Sequence, residues 1–338
     1  MKSSFINSAV SISSQETFNA DVFETNQILL FPNEKIVNAI KPNYKEYISP
    51  IKSRRMASGV KMGVVTAKKA LNTAEVSEID AIITGTGLGC IEDSEKFLDA
   101  VIDNDEQYLT PTSFIQSTHN TVAAQIALLE KSNAYNVTYV NGANSFEAAL
   151  IDAQMQLNEG STKILVGGVD ELGNKFIKEY CKRNTQKVPF SEGANFFVIE
   201  NEKKENTLAE LVDVCCFQKI KEEDLENKVI LFLKENKVEL DDIDAICLGI
   251  NGSEYDSFYT VLQKKLFKET TQLQYKNVCG EFYTASAFGL YTSVNLLRKK
   301  ELPKEFYINN IVKKEYKHVL LYNQYKGTQH SLVLVKRC

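Results

Sequence analysis

The amino-acid sequence predicts an α/β protein with mixed, mostly parallel sheets, built from two similar halves. Three observations lead there. Strand-like and helix-like segments alternate along the whole chain. A charged run, ENEKKEN at 200–206, interrupts the pattern, and a similar order of elements resumes after it, so the halves divide as 1–203 and 204–338. Finally, residues 135–169 run strand, sharp turn, helix, glycine, strand, the arrangement that presents one side chain at a helix N-terminus.

In chain order, Phe5 to Ile12 alternates weakly and reads as a first strand, whereas 17–50 carries no clear pattern. Met56, Val60, Gly63, Val64, Ala67 and Leu71 line one face of a helix over 54–71. Strand 79–84 leads into Gly85-Thr86-Gly87-Leu88-Gly89, then helices over 92–102 and 121–129. Val137 to Val140 is the strand before the Asn141-Gly142 turn, and Phe146, Ala149, Leu150, Ala153 and Leu157 recur at helical spacing up to the capping Gly160. Ile164 to Val166 reads as a strand stopped by Gly167-Gly168, and Phe196 to Ile199 as another. In the second half the expected strands are 208–217, 245–250, 319–322 and 332–335. The expected helices include 229–233, 255–267 and 285–299.

The chain has 338 residues, 43% apolar and 25% charged, which suits a globular protein of about two domain-sized units. A net charge of −5 and the absence of a dense Lys/Arg block argue against nucleic-acid binding. The first residues lack a signal-peptide core, and no run reaches membrane-span length, so a cytoplasmic protein without membrane association is expected. Seven scattered cysteines read as reduced thiols. Three distant histidines and no cysteine pair at metal spacing predict neither metal nor cofactor.

The residue held at the turn before the 146–157 helix is Ala143, which has no chemistry. Seven stretches, in this order, resemble the β-ketoacyl synthase family of the thiolase fold: RRMASGVKMGVVTAKKAL from Arg54, TGTGLGCIED from Thr84, 136–171, EGANFFVIEN from Glu192, LGINGSEYD from Leu248, YKNVCGEF from Tyr275 and KGTQHSLVLV from Lys326. The resemblance implies two five-stranded halves in a layered αβαβα arrangement. It also implies a nucleophilic cysteine, two histidines and a lysine. Here the cysteine position falls on Ala143, the first histidine on Asn251 and the second on Glu281, while Lys276 matches the lysine. Ala143 forms no thioester, and an ionised Glu281 repels a malonyl carboxylate and its enolate. Glu281 is instead expected to pair with Lys276, five residues earlier. The family's glycine-rich C-terminal gate is shortened to Asn323-Gln324-Tyr325-Lys326-Gly327, so a mobile gate is not expected.

An intact scaffold without its reactive groups resembles the chain-length factors of type II polyketide systems. That likeness implies a pseudoenzyme that heterodimerises with an active β-ketoacyl synthase and shapes the acyl tunnel, with Leu88, Ile91 and Phe114 as lining candidates. It also implies docking of an acyl carrier protein at Lys52, Arg54 and Arg55, for which a solvated helix end is the plain alternative. Two other functions stay open. One is an acyl-thioester enzyme of altered chemistry, thioesterase- or acyltransferase-like, using Glu281, Lys276 or His330. The other is a homodimeric module that binds an acyl group or carrier protein. Ser145 reads as a helix-start serine rather than a substitute nucleophile, Cys279 as a small buried residue, and His119 and His318 as surface groups. The glycines at 85–89 lack dinucleotide-fingerprint spacing.

Overall fold

The computed structural model describes residues 2–183 and 185–338. Its strands are β1 (Phe5–Ile12), β2 (Ala81–Gly85), β3 (Tyr135–Tyr139), β4 (Lys163–Asp170), β5 (Gly193–Glu200), β6 (Ala209–Gln218), β7 (Ala245–Leu248), β8 (Thr271–Gln274), β9 (His318–Tyr325) and β10 (Gln329–Lys336). The main helices are α1 (Ser58–Thr73), α2 (Ile91–Asp103), α3 (Thr121–Glu130), α4 (Ser145–Glu159), α5 (Glu222–Glu235) and α6 (Ser286–Lys299).

The strands lie in the order β3-β2-β4-β5-β1-β6-β10-β9-β7-β8. Each five-strand half has the same pairing. β2 runs parallel to β3 and β4, and β7 runs parallel to β8 and β9. The junctions β4–β5, β5–β1, β9–β10 and β10–β6 are antiparallel. Phe5 opposite Glu210 and Ile6 opposite Ala209 join the halves into one sheet.

Three apolar cores follow from this layering. The central one draws Phe146, Leu150 and Leu157 of α4 and Phe288, Leu290 and Leu297 of α6 between the two half-sheets. An outer core sets α1 and α3 against the first half, and another sets α5 and Phe258 against the second. Because it is covered on every side, α6 is buried from Ser286 to Leu297, which explains its weak amphipathic pattern.

Several boundaries move. β4 continues through Gly167 and Gly168 to Asp170 instead of stopping there. The glycines serve close packing: a Cβ on Gly167 would lie 2.5 Å from the Phe196 ring, and one on Gly168 2.9 Å from Thr284. The expected helix over 255–267 is a short α-helix, Ser257–Val261, followed by a π turn at Leu262–Leu266. β8 and the helix Phe176–Arg183 carry no signal recognised in the sequence; both are short and rich in polar residues.

Candidate functional site

The site is built where β-strand ends and the loops after them meet. Gly142, at φ +59°, makes the sharp turn that places Ala143 just ahead of α4. Ser145 braces this turn: its hydroxyl accepts from Asn141 N–H at 2.8 Å and donates to the Gly142 carbonyl at 2.7 Å. Both hydrogen-bonding roles of Ser145 are therefore structural, as the helix-start reading expects. Ala143 is buried.

Lys276, Glu281 and Asn251 come together. Lys276 Nζ lies 3.0 Å from each carboxylate oxygen of Glu281, and Asn251 Nδ2 donates to Glu281 Oε2 at 2.7 Å. All three side chains are buried, Lys276 at 2% exposure and Glu281 at 4%. The rest of Asn251 is also engaged: Oδ1 accepts from Ser253 N–H, and its carbonyl accepts from Lys187 and Val188 N–H. Glu281 is pinned by its backbone to the other half, donating to the Pro189 carbonyl and accepting from Ser191 N–H. Gly280, at φ +79°, permits this approach; a Cβ there would sit 2.4 Å from Ser191 Cβ. The carboxylate thus sits in a closed ion pair, with both its oxygens turned to Lys276 and Asn251.

Glu281 also lines a cavity with Leu88, Phe190, Phe282, Tyr283, Tyr325 and Tyr180. Its free volume is about 30 Å³, room for a water or two and far below the roughly 300 Å³ of a small-molecule pocket. Tyrosine side chains fill the remaining space: Tyr180 and Tyr325 hydroxyls touch, and Tyr325 reaches the Tyr283 hydroxyl at 3.4 Å. Ile91 lies beside Gly173 at the cavity's edge. Phe114 is elsewhere, on the surface, with its ring against Phe97. Lys52, Arg54 and Arg55 are exposed, and none of the ion pairs among the described residues involves them.

Two carboxylates missed in the sequence organise the surroundings. Asp170, wholly buried at the end of β4, accepts from Thr86 Oγ1, Gly87 N–H, Leu88 N–H, and both N–H and Oγ1 of Thr284. That closes the 85–89 turn around a carboxylate, so its N–H groups are not free for a phosphate. Glu171 accepts from Gly59 N–H and Glu92 N–H, supplying from just after β4 the N-terminal cap that neither α1 nor α2 has of its own. An acidic residue directly after an apolar strand was the available signal for both.

The histidines are structural or superficial. His330 is fully buried on the outer face of β10, between Phe217 and Phe258, with Nδ1 2.9 Å from the Tyr322 hydroxyl. Burial lowers its pKa and holds it neutral. It packs in the outer core of the second half, which removes it from the acid–base set. His119 is exposed, and His318 contacts the Asp242 carbonyl. Burial likewise pushes the Cys279 thiol up, away from a nucleophilic thiolate. Among the described residues no group of side chains could hold a metal ion, and no helix is long and apolar enough to cross a membrane.

The fold and the site define a thiolase-like ketosynthase scaffold. The family model for the N-terminal domain of β-ketoacyl synthases matches residues 32–212, more than half of the chain, and the chain belongs to that family. Solved structures share the fold at low identity. A β-ketoacyl synthase from Burkholderia phymatum STM815 superposes with a TM-score of 0.82 at 14% identity, covering all of both chains. The ishigamide ketosynthase/chain length factor gives 0.80 at 15%, covering all of this chain and 99% of that one. The ketosynthase ApeO in complex with its chain length factor ApeC, from Xenorhabdus doucetiae, gives 0.80 at 11%, covering all of this chain and 98% of that one. No curated protein matches the sequence.

Two outcomes are expected. Lys276→Met, which leaves Glu281 buried and unpaired, should cost about 3–5 kcal/mol in denaturant unfolding, and adding Glu281→Gln should restore much of that; simple additivity of the two losses would contradict a coupled pair. Second, burial raises the Glu171 pKa from 4.5 to about 7. A raised folded pKa gives stability that is full below pH 4.5 and is lost as pH rises through about 7. Relative to Glu171→Gln, the native chain should therefore lose up to about 3 kcal/mol between those values, read from unfolding at a series of pH values.

Proposed function

We propose that this chain is a non-catalytic, chain-length-factor-like subunit that pairs with an active β-ketoacyl synthase and shapes the acyl tunnel of a type II polyketide-like system. The observation that carries the reading is the Lys276–Glu281–Asn251 network. Where the family resemblance expects two histidines, the residues present are locked to each other and to Lys276, and Ala143 provides no nucleophile. Lys276 and Asn251 turn their donors to Glu281 instead of to the enolate that decarboxylative condensation must stabilise.

The surface supports a partner. β3 ends the sheet and pairs only with β2, leaving an open strand edge. Val140 just after β3 and Leu128 on α3, which packs against β3, are exposed, as are Leu98, Ile102, Phe114 and Ile115 on α2 and the helix Pro111–Ser117. An open edge with so much apolar surface is a liability in a lone protein and suits burial against a second chain. A ketosynthase is the occupant favoured here, because solved relatives of this fold include complexes of a ketosynthase with a chain length factor. Another relative was solved with an acyl-carrier protein, which fits docking at the exposed Lys52, Arg54 and Arg55 next to Ile51. Leu88, Ile91 and Phe114 remain the candidate lining of the tunnel, Phe114 from the surface that the partner would cover.

The thioesterase-like alternative loses one of its three groups to the outer core with His330 and finds the other two paired. In a reconstituted pair, Leu88→Ala or Leu88→Phe should shift the product chain length by at least one extender unit in opposite directions, read by mass spectrometry. Unchanged products from both variants, and from the same pair of changes at Ile91, would remove the tunnel role.

A further inference from the structure

Three consecutive residues of β10 are bound to the first turn of α4, across the two halves. Gln329 Oε1 accepts from Ala143 N–H at 3.0 Å, and its Nε2 donates to the Asn141 carbonyl at 2.8 Å. The His330 carbonyl accepts from Asn144 Nδ2 at 3.4 Å. Ser331 Oγ donates to Oε1 of the fully buried Glu147 at 2.8 Å.

The Gln329 contact has a distinct chemical character. The amide at Ala143 sits just before a helix of fifteen residues, where N–H groups are not used by the helix itself and the dipole favours an oxygen with negative character. The atom seated there is itself a carbonyl oxygen, that of a side-chain amide. Its NH₂ group simultaneously donates to the Asn141 carbonyl, which also accepts from Asn144 N–H, so one planar group spans two backbone groups of the turn. Gly142 leaves room for it: a Cβ on that residue would lie 2.9 Å from Gln329 Oε1. Gln329 lies just beyond the Lys326–Gly327 turn of the β9–β10 hairpin, so opening the site requires either rotating this side chain or moving the hairpin.

We propose that Gln329 is a resident occupant of the α4 N-terminus. Its amide takes the place of a ligand carbonyl and keeps the turn closed to acyl groups, independently of which residue stands at 143 and of which chain is the partner. The closure is a second block beside the absence of a nucleophile, and it anchors the hairpin to the other half.

The test places a thiol at the turn with Ala143→Cys and follows its alkylation by iodoacetamide, quantified at that peptide by mass mapping, with and without Gln329→Ala. The thiol should react slowly alone and roughly thirtyfold faster once Gln329 is truncated, the factor expected for losing two ordinary hydrogen bonds. Equal rates would overturn the proposal. Hydrogen exchange on the unaltered chain gives a reading that needs no variant: the Ala143 amide should be protected like the amides inside α4. Exchange at the speed of an unstructured amide would overturn it as well. Neither result depends on the pairing role, so the two readings stand or fall separately.

Discussion

The arrangement turns on the burial of one charge pair. An ammonium and a carboxylate at 2% and 4% exposure persist only if each neutralises the other and their remaining hydrogen-bonding capacity is met. Glu281 meets this with both oxygens on Lys276 and a further donor from Asn251. The requirement propagates outward. Asn251 must be held in place, which engages its Oδ1 and carbonyl; Glu281 must be held, which draws in the Pro189–Ser191 segment of the other half. A pair so fixed adds little net stability of its own but is costly to break on one side.

The same logic recurs around the site. Asp170 gathers the glycine turn and Thr284, Glu171 caps two helices, and Glu147 takes the Ser331 hydroxyl. In an active enzyme some polar groups in the cleft face substrate. Here the polar groups at the centre face one another across the two halves, and tyrosines occupy the space between. The family's fold is retained, and exposed apolar side chains such as Leu98, Ile102 and Phe114 lie on its surface.

How far this was legible in the sequence depends on the range of each interaction. β2 announces itself as a buried apolar run and β1 by a weak alternation, because burial of a strand needs little more than its own side chains. The Lys276–Glu281 pair was also legible, since five residues across a glycine turn bring the groups together locally. β8, TQLQ, was not: it is a short edge strand whose identity comes from pairing with β7. The extent of β4 was misread because Gly167 and Gly168 punctuate a strand in isolation, yet here they admit Phe196 and Thr284. Gln329 is the extreme case. Its partner Ala143 is 186 positions away, and a polar residue at a strand start carries no sign that its amide fills a distant helix terminus. His330 misled for a related reason: proximity to the hairpin does not tell which face of β10 a residue occupies, and alternation sends it to the outer core.

The central claim is that this chain completes an active ketosynthase rather than acting alone. The most direct measurement is the mass of the complex recovered when the tagged chain is co-expressed with a candidate active β-ketoacyl synthase from the same genome. The account predicts a stoichiometric one-to-one heterodimer in which condensation depends on the partner's nucleophile. A stable homodimer that excludes the ketosynthase, or condensing activity from this chain alone, would contradict it.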